Sequence, residues 1–138
     1  MIKIKGTLLM FDKPDLENRA FPKDCKIRIP DIIPISLVDK TGELLAGPIG
    51  HITRTTINES GIAIEGVIIC EGEDAYRAVI KENGVYFGGN YKVCDWHEED
   101  GMDIYTSLRL RAVSLFMDDV YGDESLKVEI VEEETAND

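Results

Sequence analysis

Between Ile104 and Met117 the side chains change character residue by residue, and this alternation constrains the fold more than any other stretch. Leu108, Leu110, Ala112, Ser114 and Phe116 fall on one side of an extended chain. Arg109 and Arg111 fall on the other side until Val113 and Leu115 replace them. Successive side chains of a strand point to opposite faces, so a period of two marks a half-buried strand. The shift from arginine to valine and leucine predicts a strand exposed at one end and buried on both faces at the other.

Ile2 to Phe11 predicts an opening strand with Gly6 as a bend or bulge, ended by the turn residues Asp12 to Asp15. LENRAFPKDC has little periodicity, and Pro22 argues against helix there. Pro30 and Pro34 bracket extended pieces and favour strand starts or an edge. After the polar turn DKTGE, Ile49 to Ile57 and Ile62 to Ile69 read as a hairpin closed by Asn58 to Gly61. Glu73 to Asn83 is the one clear helix: Ala75, Tyr76, Val79 and Ile80 recur at helical spacing, two acids open it, and Gly84 stops it. Val85 to Val93 returns as a glycine-rich strand, GVYFGGNY at its core. A loop, Cys94 to Asp103, follows it, and Ser125 to Val131 adds a last edge strand. The predicted fold is α+β and mainly β: a barrel of six to seven mostly antiparallel strands with one helix. Residues 1–123 form the barrel domain, and 124–138 the edge strand and an acidic C-terminal tail.

Composition narrows the function classes. Hydrophobic residues make up 43% of the 138, enough for one packed core. No apolar run is long enough to span a bilayer and no leader pattern opens the chain, which reads as intracellular without membrane association. The three cysteines, Cys25, Cys70 and Cys94, are odd in number and widely spaced, so they suggest free thiols rather than a disulfide framework. With 27 acids against 15 bases the net charge is −12, which repels phosphate backbones and argues against nucleic-acid binding. Such a surface either confers solubility or docks on a basic protein. Glu129, Glu132, Glu133, Glu134 and Asp138 concentrate acid near the C-terminus.

Sites of chemistry are few. His51 stands in a predicted strand and reads as a satisfied strand residue rather than a general base. His97 with Cys94, Asp95, Glu98, Glu99, Asp100 and Asp103 has no compact metal-ligand spacing, so the loop reads as solvated. Trp96 in that loop is either an anchor for a protein partner or a cap on the barrel end. No nucleophile elbow, P-loop or dinucleotide fingerprint is present, and no cofactor is expected.

The order FDKPD, AFPKDC, PISLVD, GPIGHITRTTINESGIAIEGVI, helix, GVYFGGNY, LRLRAVSLFMDD resembles the prohead protease family of tailed bacteriophages across roughly residues 1–120. That resemblance implies the β-barrel shared with the herpesvirus assembly proteases, and a serine activated by a histidine that a third group orients. The three positions depart from the pattern. The histidine is expected five residues after Pro34, where Asp39 stands. The serine is expected where GVYFG has Tyr86, and the acidic third member precedes VSL, where Ala112 stands. Ionised Asp39 is a poor base for an alcohol, Tyr86 has no small aliphatic hydroxyl, and Ala112 orients nothing. The resemblance therefore implies a non-catalytic head protein, auxiliary, decorating or internal, that binds the major capsid protein or other head proteins and can self-associate. Its location would be the virion, assembled in the host cytoplasm. Trp96, Arg109 and Arg111 are the candidate contacts, with the acidic tail. The alternative is an active maturation protease that recruits Ser114 with His51.

Overall fold

In the computed structural model, residues 1–117 and 124–131 are described. The chain runs β1 (Ile2–Met10), β2 (Arg19–Ala20), β3 (Lys26–Arg28), β4 (Pro34–Val38), β5 (Leu44–Ile57), β6 (Gly61–Ile68), α1 (Glu73–Asn83), β7 (Tyr86–Glu99), β8 (Met102–Phe116), a 3-10 turn (Glu124–Leu126) and β9 (Glu129–Ile130). The mainly β class and the helix at Glu73–Asn83 are as the sequence predicts. No helix among the described residues is long and apolar enough to cross a membrane. Of the C-terminal tail, Glu132, Glu133, Glu134 and Asp138 lie outside the described residues.

β8 is the strand around which the sheet is arranged. β7 pairs antiparallel with it along its whole length, and the other edge is taken in succession by β2, β3 and β4, all parallel to it. Beyond β4 the sheet continues antiparallel through β5, β6, β1 and β9. Two of the extra strands, β2 and β3, are two and three residues long. Prolines at 22, 30 and 34 keep the extended pieces of this segment short.

The expected closed barrel of six to seven strands is therefore corrected: the described residues form one nine-stranded sheet, curled into an open half-barrel. Closure fails for a local reason. Among the described residues the outer edge of β7 meets the C-terminal segment only at its start, where Tyr86 bridges Lys127 and the Val128 N–H donates to the Val85 carbonyl at 2.7 Å. That segment then turns to β1, where β9 supplies only two paired residues.

Two further expectations are refined by bulges. The inward face of β8 is carried by Leu108 and Leu110, then by Val113 and Leu115. Asn90 pairs Ala112 while Tyr91 pairs Leu110, so Arg111 is an extra residue that reverses the alternation. The arginine-to-apolar change thus marks a bulge rather than burial on both faces. In β1 the extra residue is Leu8, between Thr7 and Leu9, which is why both leucines are buried. Gly6 pairs regularly with Ile64. Its missing side chain serves packing: a Cβ there would lie 2.7 Å from Cε2 of Phe87.

The core lies inside the curl. Ile2, Ile4, Ile35, Ile62, Ile64, Ile68, Val85, Phe87, Leu110, Val113 and Leu115 are essentially without solvent contact. Ile80 of α1 is buried in the same cluster, and Tyr76 and Val79 pack on it.

Candidate docking site on the β7–β8 hairpin

The structure brings two of the three positions singled out by the resemblance, Asp39 and Tyr86, to one end of the sheet. Val38, at the end of β4, pairs with Phe116, and Phe116 pairs with Tyr86. Asp39 and Tyr86 are thus two strand spacings apart, about 10 Å. Ala112 lies four residues back along β8, about 13 Å away at the usual rise. None of the three is arranged for hydrolysis. The Asp39 carboxylate closes the β4–β5 turn, accepting from the Thr41 hydroxyl at 2.6 Å and from the Thr41 and Glu43 amides at 2.8 and 3.0 Å. Thr41 above all, with the Glu43, Thr41 and Gly42 amides, holds that carboxyl below the usual range, against a smaller desolvation effect. The Tyr86 ring is buried, and its hydroxyl donates to Glu124 Oε1 at 3.0 Å.

The alternative pair is no closer to a working dyad. Ser114 pairs with Ser36 on β4, and His51 pairs with Pro34, two residues before Ser36. Strand spacing and rise place their Cα atoms about 12 Å apart, beyond hydrogen-bond reach of the two side chains. Among the described residues no side-chain hydrogen bond joins them, and His51 is exposed. Cys25 is no nucleophile either: partial burial, then the charge of Asp24, push its thiol up to about 11, so it is protonated near neutrality.

The predicted acidic loop at Cys94–Asp103 is corrected to the end of a long β-hairpin. β7 continues to Glu99 and β8 starts at Met102. Asp100 and Gly101 have φ of 52° and 78°, as a two-residue hairpin turn of the Asp-Gly kind requires. That dipeptide was the sequence signal for the hairpin. Trp96 pairs with Tyr105 and is 53% exposed, so it caps no core. His97 Nε2 lies 3.4 Å from Glu99 Oε2. Among the described residues no three of His, Cys, Asp and Glu are grouped to hold a metal.

Arg109 and Arg111 are both exposed on β8. Sequence reading missed their neighbours. Arg109 pairs laterally with Arg28 of β3 on one side and Lys92 of β7 on the other. Directly paired residues share a face, so three exposed cations stand in a row across adjacent strands. Nothing in a one-dimensional reading links positions 28, 92 and 109.

No protein-family model matches the chain, and no curated protein matches it.

Proposed function

We propose that this protein is a non-catalytic head protein of a tailed bacteriophage, built on a prohead-protease-like sheet and acting by docking to the major capsid protein or another head protein. The observation that carries the non-catalytic part is Tyr86: where the resemblance expects a serine stands a phenol covered by the C-terminal segment and bonded to Glu124. The assignment to a phage head rests on the resemblance of the motifs from FDKPD to LRLRAVSLFMDD, and the fold alone does not specify it.

Docking is ascribed to the β7–β8 hairpin, where Trp96 is an exposed aromatic flanked by Asp95 and His97. An aromatic that desolvates on binding is a common energetic anchor. The virion is the proposed location, reached from the host cytoplasm during assembly. Co-expression with the head genes that neighbour its own tests the reading. The chain should co-purify with the capsid precursor and leave it uncut, and Trp96→Ala should weaken co-purification while the melting temperature changes little. Trimmed precursor that depends on Ser114 or His51 would instead establish the active maturation protease.

A further inference from the structure

Like charges placed opposite one another on adjacent strands destabilise a sheet. In a chain of net charge −12, the row Arg28, Arg109, Lys92 is therefore an unusual concentration of positive charge. Lys26 and Arg111 extend it, and all five side chains are exposed. Among the described residues none of the five pairs with a carboxylate. The row ends on an open edge: from Phe87 to Glu99, β7 pairs only with β8 among the described residues. Alternate peptide groups along such an edge face solvent and serve as a template for another strand.

We infer that the basic row and the free edge of β7 together bind an extended acidic segment of a partner polypeptide, added as a strand beside β7. The segment's carboxylates would meet Lys92 and Arg109. Charge complementarity selects an acidic peptide over a basic one. Exposed Asp95, Glu98 and Glu99 farther along β7 confine the acidic segment to the stretch of edge beside Lys92, and they disfavour a long polyanion such as nucleic acid, whose phosphates would run beyond it. The inference deepens the docking role proposed above by naming its surface and its partner's chemistry, and its test needs no phage head, so the two can fail separately.

The test is fluorescence anisotropy of the full chain with labelled probes at low salt. The probes are a peptide alternating glutamate and threonine, the lysine–threonine counterpart, the acidic peptide N-methylated at alternate residues, and a short single-stranded DNA. The acidic peptide is expected to bind, to weaken about tenfold or more with Arg109→Glu or Lys92→Glu, and to weaken in high salt. Lys40→Glu, the same charge change in the β4–β5 turn, should leave binding nearly intact. Three results overturn the inference: no binding of the acidic peptide, equal loss with Lys40→Glu, or DNA binding with the same dependence on Arg109. Undiminished binding of the N-methylated peptide would overturn addition along the β7 edge.

Discussion

Replacing Tyr86 by serine introduces the nucleophile that the proposed kinship expects at this position and removes an anchor of the C-terminal segment, so one substitution tests chemistry and architecture together. Tyr86 is 9% exposed and bridges Lys127, while its hydroxyl donates to Glu124. A buried aromatic removes roughly 150–250 Å² from water, which at ~25 cal/mol per Å² is about 4–6 kcal/mol. Residual burial in the unfolded chain lowers that to about 3–4 kcal/mol. The hydrogen bond adds about 1 kcal/mol, because a partly exposed Glu124 recovers water when its donor leaves. Tyr86→Ser is thus expected to cost about 4 kcal/mol and, in a domain of this size, to lower the melting temperature by about 12 °C. Tyr86→Phe should cost only about 1 kcal/mol, and combining it with Glu124→Ala should cost little more than Glu124→Ala alone. Urea melts followed by circular dichroism give the differences. Tyr86→Ser should also cleave no peptide above background, because Asp39 rather than a histidine follows β4. A loss below about 1 kcal/mol would refute the anchoring argument, and peptide cleavage by this variant would refute the non-catalytic one.

Further expectations follow from single contacts. Gly6→Ala places a methyl 2.7 Å from the Phe87 ring and 3.1 Å from the Lys127 carbonyl, so it should destabilise by about 1–3 kcal/mol in urea melts, partly recovered by Phe87→Leu. With its thiol near 11, Cys25 is only about 0.1% thiolate at pH 8; mass spectrometry should find exposed Cys94 alkylated long before it, with Cys25 catching up only on unfolding. The Asp39 carboxyl is lowered in the folded state, so its contribution is present above the unfolded value of about 3.9 and is lost as pH falls through the folded value. Acid titration of stability should accordingly show the gap between the wild type and Asp39→Asn closing below about pH 4.

Periodicity showed the elements whose burial is one-sided. The helix at Glu73–Asn83, the hairpin of β5 and β6, and the long β8 were legible, because each carries apolar residues at helical or near-alternate spacing, in β8 on either side of its bulge. The pieces β2 and β3 were not, because two or three residues complete no period and their partners are parallel and distant along the chain. Bulges misled for a related reason. An inserted residue such as Arg111 reverses the alternation, and the same string reads as a strand buried on both faces. The acidic stretch from Cys94 concealed a hairpin, since its charged side chains stand on a strand that buries little. Of the candidate contacts, Trp96 and Arg109 could be picked out singly, whereas the row through Arg28 and Lys92 exists only once β3 and β7 lie on either side of β8.

The central claim is that this sheet docks within a phage head and cuts nothing. Mass spectrometry of intact proteins and their termini, on heads assembled with and without this chain, tests it most directly. The account predicts the chain at full length and in fixed proportion in mature heads, with the same partner termini in both preparations. Its absence from mature heads, together with precursor termini trimmed only when it is present, would contradict the account.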